Sequence, residues 1–184
     1  CLILESYLKS CGKHIREQLL AQNDVLEKLH NIAVAIKKKR GSLADKRDKL
    51  QKMLKAATWP QKFLLPSDPR IECSGFIVDK CRVLGSKTSP LFLAFENAET
   101  KEPINVIYKV GDDLRQDQLT LQLIMLMDDL WKREGVDLKL KTYTCLALGD
   151  EYGLIEVVKN ANTTSNINIE LGGLRAVYNE MTLV

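Results

Sequence analysis

The chain has 184 residues, enough for one ordinary domain or for pieces of two. Its net charge is only +3, and its basic residues gather at Lys37-Lys38-Lys39-Arg40 and over residues 46–55, which argues against a strong global field for nucleic acid. No apolar run approaches a bilayer span, and the five cysteines (Cys1, Cys11, Cys73, Cys81, Cys145) form no C-x-x-C pair, so the chain reads as reduced and intracellular, without a zinc site or a disulfide framework.

Residues 1–40 place apolar or small side chains at Leu8, Cys11, Ile15, Leu19, Leu26, Leu29, Ala33 and Ile36. The steps are mostly of three and four, which predicts one helical stripe. The basic cluster before Gly41 then reads first as a solvated helix end, and Gly41 as its stop. A local contact of that cluster with anionic lipid is the minority reading. Ser42 and Asp45 predict the capped start of a second helix, with a stripe of Leu43, the stem of Arg47, Leu50, Leu54 and Ala57. Trp59-Pro60 ends it. The two helices read as an antiparallel hairpin, which on its own is also a coiled-coil scaffold.

Pro60, Pro66 and Pro69 predict a linker without regular structure over residues 61–70. From Ile71 the period becomes strand-like, with strands expected at Phe76–Val78, Cys81–Leu84 and Leu91–Phe95. The turn Leu84-Gly85-Ser86-Lys87-Thr88-Ser89-Pro90 carries residues whose N–H groups and hydroxyls can face phosphate, although most such turns are only turns.

The best-marked stretch is Ile104 to Trp131. An apolar strand delivers Lys109, turns at Val110-Gly111 and enters an apolar helix expected from Asp112 to about Glu134. Asp112 and Asp113 suit the positive end of that helix, and Gln116 three residues after Asp113 fits a capping box. Leu114, Leu121, Met125 and the run Leu123–Leu126 predict burial on more than one side. Asp117 falls on the first turns, within reach of Lys109, although an exposed helix-start acid is the commoner use of Asp. A strand-end lysine feeding such a helix is a device for holding nucleotide phosphates. Further on, Leu138–Leu148 is expected as a strand with Tyr143 and Cys145 on one face. Gly149–Gly153 reads as a turn, Leu154–Lys159 as a buried strand, and Thr163 as the start of a short helix that Gly172-Gly173 interrupts. The end through Val184 reads as helical.

Two stretches, Lys109-Val110-Gly111-Asp112-Asp113-Leu114-Arg115-Gln116-Asp117 and Gly153-Leu154-Ile155-Glu156-Val157-Val158, together resemble phosphoinositide 3-kinases. The resemblance covers the chain from about Ile71 onward. It implies an α+β fold: a kinase-like N-lobe with an antiparallel sheet and one long buried helix, preceded by a helical hairpin. It implies the end of a helical domain at 1–60, a linker at 61–70, the N-lobe and hinge at 71–158, and the start of a C-lobe at 159–184. By position, Lys109 matches the lysine on the ATP phosphates and Asp117 the nearby acid behind the adenine pocket. Tyr143 matches the tyrosine bordering that pocket. Glu156 and Val158 match the hinge, whose backbone binds adenine. Leu84, Gly85 and Ser86 match the phosphate hairpin, Pro90 its far side, and Ile107 and Ile155 the apolar walls.

The implied reaction is phosphorylation of the 3-hydroxyl of phosphatidylinositol lipids with ATP and Mg²⁺. The implied partners are ATP, those lipids at a membrane surface and regulatory proteins, with no nucleic acid. The implied location is cytoplasmic and peripheral to membranes. FENAE, INVIYKVGDD and Phe92 resemble class II enzymes, whereas GLIEVV is closer to class I. The departures are equally specific. His14 and His30 are the only histidines, both precede Lys109, and neither DRHxxN nor DFG occurs. The catalytic base, the metal ligands and the activation loop are therefore expected outside these residues. The chain reads as a fragment cut at both ends that does not transfer phosphate alone. The rival reading is a non-catalytic helical scaffold or a pseudokinase fragment, and a phosphatidylinositol 4-kinase or related protein kinase is a third.

Overall fold

The computed structural model describes residues 2–170 and 172–176. Helix α1 (Leu2–Ser10) and helix α2 (Lys13–Lys37) are separated at Gly12, whose φ of +79° breaks the helical path. The stripe expected to run unbroken through residues 1–40 is therefore split. α1 buries none of its side chains, and Ile15 of α2 lies exposed. The second half of α2 fulfils the pattern, burying Val25, Leu29, Ile32, Ala33 and Ile36. Helix α3 (Leu43–Ala56) begins at the expected capping box: Asp45 N–H donates to Ser42 Oγ at 3.1 Å, and Ser42 N–H donates to Asp45 Oδ2 at 3.0 Å.

The presumed linker is a hairpin of β1 (Phe63–Leu65) and β2 (Asp68–Phe76). The prolines are tolerated because Pro66 sits in the turn, and Pro69 falls where the register shifts and no paired N–H is required. A 3₁₀ turn (Val78–Lys80) leads to β3 (Arg82–Val83), β4 (Leu91–Asn97) and β5 (Pro103–Val110). Helix α4 (Arg115–Arg133), β6 (Cys145–Gly149), β7 (Tyr152–Glu156) and α5 (Thr164–Glu170) follow. The seven strands among the described residues form one antiparallel sheet in the order β1-β2-β4-β5-β7-β6, with β3 paired to β4. The α+β class and the antiparallel sheet expected of a kinase-like N-lobe are present.

β5 alternates as a strand covered on one face. Val106 and Tyr108 are buried toward α2, while Ile107 and Lys109 face the other side. On the α2 side one cluster of buried side chains joins Leu29 and Ile36 of α2, Leu50 and Leu54 of α3, and Phe63, Phe95, Tyr108 and Leu154 of the sheet. Phe76 stacks at 4.7 Å from both Trp59 and Phe95. The opposite face carries a smaller cluster of Leu114, Leu121 and Cys145, with Ile124, Tyr143, Ala147 and Ile155 half-buried around it.

Three expectations for the second half need correction. α4 starts at Arg115, not Asp112, and no side chain caps it. Asp113 turns onto Arg115 instead of Gln116: Arg115 N–H donates to Asp113 Oδ1 at 3.1 Å, and Arg115 Nε donates to the same oxygen at 2.9 Å. That guanidinium holds the Asp113 carboxyl down at about 2. Nor is α4 buried on more than one side. Of its residues only Leu121 is buried, while Leu119, Leu123, Leu126 and Leu130 are exposed, because only its β6 side meets the sheet. Finally, the strand expected over 138–148 is confined to Cys145–Gly149. Lys139 takes a left-handed φ of +56° and bonds back to Asp137, which interrupts any extended path there. β7 likewise ends at Glu156, short of Lys159. The helix expected through Val184 lies outside the described residues beyond Ala176.

Candidate functional site

The sheet face away from α2 is built by register. Arg82, Phe92, Ile107, Ile155 and Cys145 are successive cross-strand partners, so their side chains form one row. The Arg82 guanidinium lies 3.8 Å above the Phe92 ring. The next row toward the chain turns is Lys109, Gly153 and Ala147. Leu114 covers Gly153: a Cβ there would meet Leu114 Cδ1 at 2.9 Å and the Leu146 carbonyl oxygen at 2.3 Å. The site is thus an apolar strip from Phe92 to Cys145, with Arg82 over one end and Lys109 at its edge.

Lys109 Nζ is 2.8 Å from Asp112 Oδ2, a pair formed across the Gly111 turn. Thr88, in the β3–β4 turn, donates its hydroxyl to the same Oδ2 at 3.4 Å. Asp112 therefore joins the two segments expected to face phosphate. Sequence reading assigned Asp112 to the helix start and Thr88 to the β3–β4 turn and did not connect the two. The available signal was the three-residue step from Lys109 across a glycine with φ of +93°. Asp117 is exposed on the first turn of α4. It and Lys109 both act on Cys145, whose thiol is pushed up first by burial and then by the Asp117 charge, with Lys109 opposing. The ion-pair partner of Lys109 among the described residues is Asp112, not Asp117.

The β3–β4 turn is held by its own backbone. Leu84 N–H donates to the Pro90 carbonyl at 2.9 Å, and Ser89 N–H to the Ser86 carbonyl at 3.0 Å. Gly85 and Ser86 remain exposed at the tip, while Pro90 is buried at its base. From behind, Lys46 donates to Ser89 Oγ at 2.8 Å.

At the other end of the strip, Tyr143, Glu156 and Val158 line one pocket with Val157, Asn105 and Ile104. Glu156 N–H is committed to the Thr144 carbonyl at 2.8 Å and Val157 N–H to that of Asn105 at 3.1 Å. Among the described residues, Val158 N–H donates to no protein acceptor. Gln118, which no sequence pattern singles out, accepts Ala147 N–H at 2.7 Å and ties α4 to β6. An apolar strip between an unpaired donor and a strand-end cation is suited to a flat ring with an anionic tail.

Residues 103–177 match the family model described as phosphatidylinositol 3- and 4-kinase. Over these residues the chain is similar to the phosphatidylinositol 3- and 4-kinase family. It is similar to phosphatidylinositol 3-kinase 2 of Dictyostelium discoideum, 51% identical over 184 residues, which is 100% of this chain and 10% of that protein. Phosphatidylinositol 3-kinase 1 of the same organism is 46% identical over 173 residues, 94% of this chain and 11% of that protein. Phosphatidylinositol 3-kinase VPS34 of Candida glabrata is 39% identical over 170 residues, 90% of this chain and 19% of that protein. The chain thus spans between 10% and 19% of these relatives. Lys109, Asp117, Tyr143, Glu156 and Val158 fall inside the part matched to the kinase family, and the Leu84–Pro90 turn precedes it.

No helix among the described residues is long and apolar enough to cross a membrane. No group of three or more His, Cys, Asp or Glu side chains is placed among them to hold a metal ion.

Proposed function

We propose that this chain forms the ATP-binding lobe of a lipid kinase that phosphorylates the 3-hydroxyl of phosphatidylinositol lipids in signalling and membrane traffic. The observation that carries the proposal is the position of Lys109 at the end of β5, on the same sheet face as the Ile107–Ile155 strip. In this reading Lys109 leaves Asp112 for the phosphates, and Ile107, Ile155 and Tyr143 flank the base. The Val158 N–H, which has no protein acceptor among the described residues, and the Glu156 carbonyl orient the base. Gly85 and Ser86 approach the phosphates from the β3–β4 turn, and Asp117 stands behind the pocket. ATP supplies the phosphoryl group. The base, the Mg²⁺ ligands and the lipid-reading loop belong to residues other than these, since the sequence holds neither DRHxxN nor DFG.

The same reading takes residues 1–60 as the end of a helical domain and 71–158 as the N-lobe and hinge. It places the protein at membrane surfaces as a peripheral enzyme with regulatory partners. Phe92, where class I enzymes usually carry tryptophan, supports a class II-like assignment. The test is nucleotide binding. A non-hydrolysable ATP analogue should stabilise the protein, and Lys109→Met should weaken its binding by about tenfold or more, roughly 1.4 kcal/mol. Equal affinity in the two proteins, or no affinity in either, would favour a non-catalytic scaffold.

A further inference from the structure

We infer that α2 is a positioning element for Lys109, acting through His30 and Lys37 from the reverse side of the sheet. The inference rests on the nucleotide-site reading above and adds to it. Alternation along β5 sends Lys109 to one face and its neighbours Tyr108 and Val110 toward the other. Both neighbours are engaged by α2. His30 Nδ1 lies 3.3 Å from the Tyr108 hydroxyl, and Lys37 Nζ donates to the Val110 carbonyl at 3.2 Å. His30 and Lys37 are two helical turns apart, so one face of α2 reaches both flanks of the lysine.

The grip extends to the adjoining strand. The His30 ring meets the Tyr152 ring at 4.6 Å, and Tyr152 is the cross-strand partner of Val110. Between the two contacts Ala33 and Ile36 are buried in the core, so the helix itself cannot slide. Gly111 lies against the same contact. A Cβ at this position would lie 2.0 Å from Lys37 Nζ, so the bare backbone leaves the space that Lys37 fills. The turn that aims Lys109 and presents Asp112 is thus packed from behind by a cation of α2. A strand-end lysine without this brace would keep its charge and lose its fixed height against the phosphates, and small misplacements of a binding group are costly.

The test uses the full-length protein and reads KM for ATP, KM for a phosphatidylinositol vesicle and thermal stability together. Lys37→Met and His30→Phe should each raise KM for ATP by about three- to tenfold, with the lipid KM unchanged. Lys37→Arg should restore the ATP value, because a guanidinium still donates to the carbonyl. Lys37 is exposed, so its replacement leaves the core intact. Two results would overturn the inference. One is an ATP KM within about twofold of wild type in both variants while Lys109→Met abolishes binding. The other is a parallel rise of both KM values with a lowered Tm, the mark of a general structural role. If wild type and Lys109→Met are alike indifferent to nucleotide, the site reading itself fails, and the brace with it.

Discussion

Gly153 has no room for a side chain. It sits in β7 opposite Lys109, with Leu114 packed over it and the Leu146 carbonyl against its open side. Gly153→Ala forces apart backbone and a buried leucine. It is expected to cost about 1–3 kcal/mol, the range for overpacking a tight site, and to loosen the start of α4. Chemical denaturation of wild type and variant measures the cost; an unchanged midpoint would show that the strand yields without penalty. At this scale the sequence was a partial guide. The place of Lys109 was legible because an apolar alternation ends there at a glycine turn. Its partner was not. Asp112, Asp113 and Asp117 are all acids near one helix start, and only the backbone path over Gly111 brings Asp112 to the lysine at 2.8 Å. Ser42 with Asp45 was fully legible, since a capping box is local and its two bonds require only a spacing of three.

At the scale of the element, α4 separates apolarity from burial. Its leucines and methionines predicted a helix enclosed on several sides, yet Leu123 is 52% and Leu126 53% exposed while Leu121 is 9% exposed. A sequence records which faces are apolar and carries no record of what lies opposite them. The same limit applies to β6. Alternation ran from Leu138, but a strand exists only where a partner does, and β7 pairs back only as far as Cys145. The β1–β2 hairpin was missed for the converse reason: its prolines occupy the turn and a register shift, where they do no harm. The helix yields a contrast that can be measured. In this chain Leu123→Lys and Leu126→Lys should each change stability by less than about 0.5 kcal/mol, as exposed sites do. Leu121→Ala should cost about 2 kcal/mol, at the low end for a buried leucine. Thermal melts of the three variants distinguish a one-sided helix from an enclosed one, for which all three would be costly.

At the scale of the molecule, the helical hairpin and the sheet share one interior. Leu29, Ile36, Leu50 and Leu54 are fully or almost fully buried, and they belong to the same cluster as Phe95, Val106, Tyr108 and Leu154. Had the hairpin been an independent coiled coil, its apolar stripe would close between α2 and α3. Instead α2 also lies on β1 and β5, and α3 on β3. The strand that carries Lys109 thus takes its support from residues about 80 positions earlier, as the His30–Tyr108 contact across 78 residues illustrates. Leu29 is a suitable probe because it is 0% exposed on α2 and distant in sequence from every strand it supports. Leu29→Ala should cost about 2–5 kcal/mol, the transfer of the lost methyl groups plus the cavity they leave. The loss should appear as faster amide exchange in β4 and β5 as well as in α2 and α3, with denaturation remaining a single transition. Strands that keep their protection while the helices lose theirs would mean two separately stable units. In that case a brace on Lys109 from α2 would have no rigid body to act through. Shared loss of protection is what couples a helix remote in sequence to the position of one cation at the end of β5.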